Sequence, residues 1–237
     1  MKKQFPRGLA QPQNGFHFAL DSLLLASFVD PVQGRVADLG CGCGVIGFGL
    51  LLRGFSCRVL GIDRQKDMLA AAAANRTGLG FADRYDLLAA DIRGVQRALR
   101  AGHFDAVVSN PPFRQSGRGK GSPVAGRNNA RFEEHGGIDD FVRAAAWLLR
   151  SRGRFYCVFL AERCDHLLAA MRKRGILPKK VLPVVVKKER TARFVLVMGT
   201  KDGGQGMQLL SPLVLYDENG SLHPAVLRFC PFLSCNA

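Results

Sequence analysis

Acidic residues are scarce in this chain. Its 237 residues include only 19 Asp and Glu against 34 Lys and Arg, which gives a formal net charge of +15. Such an excess favours a polyanionic partner, above all a nucleic acid. The alternative is a basic surface that serves only solubility. With 47% apolar and 22% charged residues, the composition is that of a globular protein and excludes wholesale disorder.

The chain also lacks any paired cysteine motif. Its seven cysteines are odd in number and irregularly spaced, without a C-x-x-C pair, at positions 41, 43, 57, 157, 164, 230 and 235. This pattern is not that of a disulfide framework or a zinc ribbon, so we predict no metal site and expect a reducing cytoplasm.

Long apolar runs are absent as well. The first run, Leu20 to Val29, is interrupted by Asp21 and Ser22, and no run approaches the roughly 18 residues of a membrane span. The N-terminus has Lys2 and Lys3 but no apolar signal stretch. We therefore expect a soluble, cytoplasmic protein without an evident obligate protein partner; its oligomeric state stays open.

Apolar segments with strand and helix patterns alternate along the chain. Seven strands are predicted at 35–39, 57–62, 85–90, 104–109, 154–160, 181–186 and 194–198. Helices are predicted at 18–29, 45–53, 65–77, 138–149 and 163–173, and another runs from about residue 91 to Arg100. This alternation predicts an α/β fold with a mostly parallel sheet, helices on both faces and an antiparallel last strand. Residues 114–137 lack apolar periodicity and are interpreted as a long loop, and residues 205–237 offer one strand, at 213–216.

A glycine-rich turn follows the first predicted strand. Asp38 precedes Gly40, Gly42 and Gly44, a pattern that lets the backbone approach a ligand closely just before a helix. A dinucleotide would suit such a turn, but the acidic residue before it favours S-adenosyl-L-methionine, whose methionyl part carries an ammonium and no pyrophosphate. Asp63 and Asp91 follow the next two strands, where they could accept from ribose hydroxyls and from the adenine amino group. Ligands bind at this carboxyl edge in such sheets.

The fourth predicted strand runs into Asn110-Pro111-Pro112-Phe113. Such a turn offers hydrogen-bond acceptors and an aromatic face to a planar amine, although Asn-Pro-Pro can also be a plain turn. In this order, the glycine turn and Asn-Pro-Pro-Phe resemble the class I S-adenosylmethionine methyltransferases, with their Rossmann-like fold. The resemblance implies that Asn110 and Pro111 accept hydrogen bonds from the methyl-accepting amine and that Phe113 stacks on it.

Three further stretches resemble the tRNA1(Val) adenine-N6-methyltransferase family. They are Gly15 to Ala26, Ala130 to His135 and Arg193 to Val197 followed by Gly199. This resemblance implies methylation of N6 of an adenine in a tRNA anticodon loop. Phe113 and Asp63 depart from the tyrosine and glutamate frequent there, and Phe113 also suits guanine-N2 enzymes. Three alternatives stay open: a ribosomal RNA guanine-N2 methyltransferase, a protein glutamine-N5 methyltransferase and a non-catalytic nucleic-acid-binding protein.

Basic residues cluster in two stretches that could contact RNA phosphates. Residues 114–131 contain no acid, and residues 172–193 carry nine Lys and Arg against Glu189 alone. A solvated basic face is the alternative. The predicted RNA contacts are Arg114, Arg118, Lys120, Arg127, Arg131, Lys187, Lys188 and Arg190.

The chain divides by this interpretation into three parts. Residues 1–30 form an N-terminal segment whose helix packs over the cofactor site, residues 31–200 form the methyltransferase domain, and residues 201–237 extend it.

Overall fold

The structure is a computed structural model that describes residues 5–12, 20–112 and 137–236, with the side chains of residues 235 and 236 left out. The strands are β1 (Gly34–Leu39), β2 (Cys57–Asp63), β3 (Tyr85–Ala89), β4 (Phe104–Ser109), β5 (Leu149–Leu160), β6 (Ile176–Val185), β7 (Ala192–Lys201), β8 (Gln208–Leu209) and β9 (Leu213–Val214). The helices are α1 (Leu20–Phe28), α2 (Val45–Leu52), α3 (Lys66–Leu79), α4 (Val95–Ala98), α5 (Ile138–Leu148), α6 (Cys164–Lys173) and α7 (Pro224–Phe229).

The nine strands of the described residues belong to one sheet. Its order is β3-β2-β1-β4-β5-β7-β6-β8, and β9 pairs with the carboxyl-terminal end of β6. Strands β1 to β5 run parallel, whereas β7 is antiparallel to both β5 and β6. The predicted fold class is confirmed; β9 lies within the strand predicted at 213–216, and β8 is the one strand of the described residues that the sequence did not predict.

Alternate residues of the central strands pack into two apolar layers. Val36 of β1 contributes to the layer that includes α1, α2 and α7, whereas Ala37 and Leu39 contribute to the layer of α4, α5 and α6. Side chains of a strand alternate between faces, so a central strand covered on both sides reads as a continuous apolar run.

Helix α1 is buried on every side. All residues from Asp21 to Phe28 are buried, including the polar Asp21, Ser22 and Ser27, so the helix lies in the interior of the fold. No helix among the described residues is long and apolar enough to cross a membrane.

The C-terminal segment contains more structure than the sequence predicted. Besides β9, within the predicted 213–216, it forms β8, α7 and a 3₁₀ turn at Pro231–Asn236. Helix α7 has only six residues, so its pattern is too short for helical periodicity to stand out. Strand β5 also begins five residues earlier than predicted, at Leu149. The division at residues 30 and 200 stays a prediction.

Candidate cofactor and catalytic site

The carboxyl ends of β1, β2 and β4 lie side by side in the sheet. Leu39 of β1 is in register with Ile62 of β2 and with Ser109 of β4. Gly40 and Asn110 follow β1 and β4, and Asp63 is the last residue of β2, so the three residues share one edge of the sheet. The sequence predicted this juxtaposition from the strand ends alone.

The glycine turn between β1 and α2 is held against the end of β2. The backbone N–H groups of Gly40 and Cys41 donate to the Ile62 carbonyl at 2.8 and 3.1 Å. The Gly42 N–H donates to Asp63 Oδ2 at 2.9 Å. Gly40, Gly42 and Gly44 all have positive φ, at +68°, +55° and +89°.

Two of these glycines are required for different reasons. A Cβ at Gly44 would lie 2.5 Å from the Phe48 ring, so no larger residue fits there. A Cβ at Gly42 would meet no atom within 4 Å, so its positive φ alone favours glycine, and the space beside it is open. An open face on a tight backbone turn is what a closely approaching ligand needs.

Asp38 is fully buried beneath this turn. Its Oδ2 accepts from the Gly47 N–H at 3.1 Å and from the Tyr85 hydroxyl at 3.4 Å. Its Oδ1 has no hydrogen-bond partner among the described residues. Burial raises the pKa of Asp38 to about 7. A buried, under-satisfied carboxyl next to an open glycine turn fits a ligand that brings a positive charge, such as the ammonium of S-adenosylmethionine.

Asp63 already serves the local backbone. Asp63 Oδ2 accepts from the Gly42 N–H, and Asp63 Oδ1 accepts from the Gln65 N–H at 2.9 Å. A carboxylate offers about four acceptor positions, so each oxygen keeps capacity for a further donor such as a ribose hydroxyl. The predicted ligand contact stays a prediction, and the fixed orientation of the side chain favours it.

Asp91 begins a 3₁₀ turn at Ile92–Gly94. Its Oδ1 accepts from the Arg93 N–H at 2.8 Å, and the Arg93 side chain pairs with the carboxylate. Hydrogen bonding from the Arg93 side chain lowers the pKa of Asp91. Asp91 thus stays ionised and keeps its place at the β3 end, and its contact with adenine stays a prediction.

The Asn110 turn begins at the end of β4, which a side-chain hydrogen bond joins to the end of β1. Ser109 Oγ donates to the Leu39 carbonyl at 2.9 Å, which joins the end of β4 to the glycine turn. Asn110 is half-buried, Pro111 is buried and Pro112 is exposed. Phe113 lies outside the described residues, as do Arg114, Arg118, Lys120, Arg127 and Arg131.

Two functional candidates were missed by the sequence analysis. Asn110 Nδ2 donates to Ser22 Oγ at 2.8 Å, and Asp21 also hydrogen-bonds the Asn110 side chain. Burial raises the pKa of Asp21, and the charge of Arg193 is among the effects that lower it. The available signal is the pair of polar residues inside the apolar run Leu20 to Val29, which the sequence alone indicates only as an interruption of that run.

The structure divides the second basic stretch among the end of α6, strand β6 and the connection from β6 to β7. Arg172 and Lys173 end α6 next to the start of β6, at the amino edge of the parallel strands. Lys187, Lys188 and Arg190 are exposed in the connection from β6 to β7, which we call the basic hairpin (residues 186–193). Because Leu160 at the end of β5 pairs with Phe194, this hairpin lies at the carboxyl edge, as Asn110 does. A cavity of about 560 Å³ is lined by Val186, Lys187, Arg190, Thr191, Ala192 and Arg193.

The fold and this edge are those of a class I methyltransferase. The sequence matches the methyltransferase small domain family over residues 19–173, and the chain belongs to that family. It is accordingly an S-adenosylmethionine-dependent methyltransferase, and the open glycine turn and the unpartnered Asp38 oxygen fit this cofactor.

Individual relatives agree with this assignment. The chain is 28% identical to a tRNA1(Val) (adenine(37)-N6)-methyltransferase of Tolumonas auensis, across 75% of this chain and 73% of the relative. It is 29% identical to the rRNA N(6)-adenosine-methyltransferase metl-5 of Caenorhabditis elegans, across 59% of this chain and 58% of the relative. The crystal structure of a predicted O-methyltransferase from Agrobacterium tumefaciens superposes with a TM-score of 0.72 at 22% identity, covering 90% of this chain and 96% of that one.

Proposed function

We propose that this protein methylates an exocyclic amino nitrogen of RNA, and specifically N6 of an adenine in a tRNA anticodon loop. The observation that carries the proposal is the position of Asn110-Pro111-Pro112 at the end of β4, beside the glycine turn at the end of β1. The names of the relatives from Tolumonas auensis and Caenorhabditis elegans support an adenine N6 acceptor.

The acceptor amine needs positioning more than it needs a base. Its lone pair is delocalised into the ring, so it is a poor nucleophile while the amine stays planar. Hydrogen bonds from its two N–H groups to Asn110 Oδ1 and the Pro111 carbonyl would pull the nitrogen toward tetrahedral geometry. Phe113 would hold the base by stacking on its plane.

S-adenosylmethionine supplies an electrophilic methyl group on its sulfonium. The glycine turn with Gly40, Gly42 and Gly44 would carry the methionyl part, and Asp38 beneath it would favour the ammonium. Asp63 would accept from ribose hydroxyls and Asp91 from the adenine amino group. Helix α1 of the N-terminal segment would cover this site, since its Ser22 already contacts Asn110.

The basic hairpin would hold the RNA next to the catalytic turn. Lys187, Lys188 and Arg190 are exposed at the same sheet edge as Asn110. Such cations contact phosphates and set the position of the substrate without reading sequence. The predicted residues Arg114, Arg118, Lys120, Arg127 and Arg131 follow the catalytic turn in sequence and would extend this surface. A tRNA substrate also favours the cytoplasm as the site of action.

The test is transfer of a labelled methyl group. The purified protein is incubated with methyl-labelled S-adenosylmethionine and unmodified bulk tRNA, and the labelled nucleoside is identified after digestion. N6-methyladenosine in tRNA is the expected result. N6-methyladenosine in ribosomal RNA alone would instead favour a second candidate function, that of an rRNA adenine methyltransferase. The similarity to metl-5 supports this candidate. Label in N2-methylguanosine or in a protein glutamine would overturn the adenine assignment.

Asn110→Ala tests the role of the catalytic turn. Removal of the side-chain acceptor should reduce transfer to background, because the amine loses one of its two hydrogen-bond acceptors. The affinity for S-adenosylhomocysteine, measured by calorimetry, should stay within a few-fold of the wild type. Persistent transfer by Asn110→Ala would show that Asn110 is not the acceptor group.

A further inference from the structure

Helix α1 carries three buried polar side chains, Asp21, Ser22 and Ser27, in an otherwise apolar sequence. Asp21 and Ser22 have exposed fractions of only 7% and 4%. A buried carboxyl is costly unless it is hydrogen-bonded. Its partners are the Ser22 N–H, which donates to Asp21 Oδ1 at 2.7 Å, and the side chain of Asn110.

These contacts determine which way the Asn110 carboxamide faces. Asp21 and Ser22 Oγ both lie on its α1 side, and Nδ2 donates to Ser22 Oγ at 2.8 Å. The hydrogen bond from the Asn110 side chain is among the effects that lower the pKa of Asp21, which is the effect of an N–H donated to a carboxyl, so the N–H₂ end of the amide faces Asp21. Both N–H groups of Asn110 are then directed toward α1, and Oδ1 is left on the other side.

A reversed amide would be useless for the proposed reaction. Its N–H₂ group would face the donor hydrogens of the acceptor amine, and the two donors would repel each other. An asparagine on its own can adopt either orientation by a half-turn of its terminal torsion.

We propose that Asp21 is a positioning residue that holds Asn110 with its carboxamide oxygen toward the methyl-accepting amine. This inference rests on the role proposed for Asn110 above. Ser22 contributes to the same positioning, since its hydroxyl accepts a hydrogen bond from one of the two Asn110 N–H groups.

The first experiment compares Asp21→Ala with Ser27→Ala as a matched control. Ser27 is buried on the same helix, but its hydroxyl donates to the Leu23 carbonyl. Loss of a charge-assisted hydrogen bond should lower kcat for methyl transfer by about 10- to 100-fold in Asp21→Ala. The KM for tRNA and the Kd for S-adenosylhomocysteine should change little, and Ser27→Ala should keep the wild-type kcat.

The second experiment exchanges the two groups. Asn110→Asp alone sets two carboxyl groups against each other and should lose most of the activity. The double variant Asp21→Asn/Asn110→Asp restores one donor and one acceptor across the contact, with an oxygen still available to the substrate. We expect it to exceed Asn110→Asp by about tenfold or more in kcat, a rescue typical of two groups that act as a unit. A purely structural Asp21 would give no such rescue.

The outcomes separate this inference from the proposed function. Transfer by Asn110→Ala would overturn the role of Asn110 and with it the positioning role. An inactive Asn110→Ala together with wild-type kcat in Asp21→Ala would overturn the positioning role alone. If Asp21→Ala does not fold, the double variant Asp21→Asn/Asn110→Asp decides the question, because it keeps a polar pair in place. A double variant whose kcat does not exceed that of Asn110→Asp would overturn the inference.

Discussion

At the scale of single residues, Asp38 couples the cofactor turn to the stability of the fold. Burial raises the pKa of its carboxyl to about 7, the Gly47 N–H and the Tyr85 hydroxyl lower it, and the charge of Asp63 raises it. The folded protein therefore holds a neutral carboxyl under mildly acidic conditions, with one oxygen left without a partner. A negative charge on the buried Asp38 carboxyl is unfavourable unless a positively charged group of a ligand lies beside it.

This electrostatic cost predicts a pH dependence of stability. The unfolded chain releases the proton near the ordinary value of 3.8, whereas the folded chain keeps it until about pH 7. The stabilisation due to this group is thus complete below about pH 4 and is lost as the pH rises to about 7. Asp38→Asn stays neutral, so its Tm relative to the wild type should rise by several degrees between pH 5 and pH 8.

Thermal unfolding without cofactor measures this difference. The control is Asp86→Asn, which removes an exposed carboxyl from β3. Its Tm difference from the wild type should be the same at both pH values. Parallel pH curves for Asp38→Asn and the wild type would mean that Asp38 ionises normally in the fold.

At the scale of secondary-structure elements, α3 fastens the N-terminal segment to the glycine turn. Asn75 is fully buried, and its Nδ2 donates to the carbonyls of Ala10 and Cys43, both at 3.0 Å. Its Oδ1 accepts from the Ala10 N–H at 2.6 Å. One side chain thus satisfies backbone groups of two segments that approach each other only in the folded chain.

Asn75→Ala should therefore destabilise the protein. It leaves buried backbone groups of Ala10 and Cys43 without this partner, at an expected cost of about 2–3 kcal/mol in the free energy of unfolding. Chemical denaturation measures the loss. Thr77→Ala is the control, since Thr77 is exposed on the same helix and its hydroxyl donates to the Ala73 carbonyl within that helix. Equal losses in the two variants would contradict the fastening role.

The contribution of the basic hairpin to tRNA binding can be tested by charge reversal, with two basic residues at the other edge of the sheet as the control. Reversal of two charges in Lys187→Glu/Lys188→Glu should weaken tRNA binding and reduce the slope of log K against log salt by about one to two. The control, Arg172→Glu/Lys173→Glu, makes the same change in net charge at the opposite edge of the sheet. Filter binding over a salt series measures both. A loss of the same size in the control would mean that net charge matters and not the hairpin.

At the scale of the whole molecule, local and distant features differ in how well the sequence predicted them. Strand β4 has the predicted bounds, Phe104 to Ser109, because an apolar run between turn residues is a local signal. The bonds of Asp63 to Gly42 and of Asp21 to Asn110 depend on strand register and helix docking. No local pattern encodes them, so the site's supporting contacts came only from the structure.

The C-terminal segment illustrates the same distinction. Val226, Cys230 and Leu233 are buried in the apolar layer of α1 and α2, and Cys230 Sγ donates to the Leu23 carbonyl at 3.5 Å. The Phe232 ring also packs edge-on against Phe5, with 5.0 Å between ring centroids. The segment is therefore part of the support for α1, which in turn holds Asn110.

Removal of residues 222–237 should accordingly reduce both stability and methyl transfer. Loss of the buried Val226 and Leu233 side chains alone accounts for about 3–6 kcal/mol, a large part of the stability of an ordinary domain. Transfer should fall further than the folded fraction does, because α1 then holds Asp21 and Asn110 less firmly. Circular dichroism and transfer assays on the same samples measure the two effects.

Full-length Arg228→Ala is the control for this deletion. Arg228 is exposed on α7, so its substitution should leave the Tm and the transfer rate close to those of the wild type. A truncated chain that keeps the wild-type Tm would show that the segment adds nothing to the core. A chain that loses stability but keeps full transfer per folded molecule would instead separate the support of the fold from the positioning of Asn110.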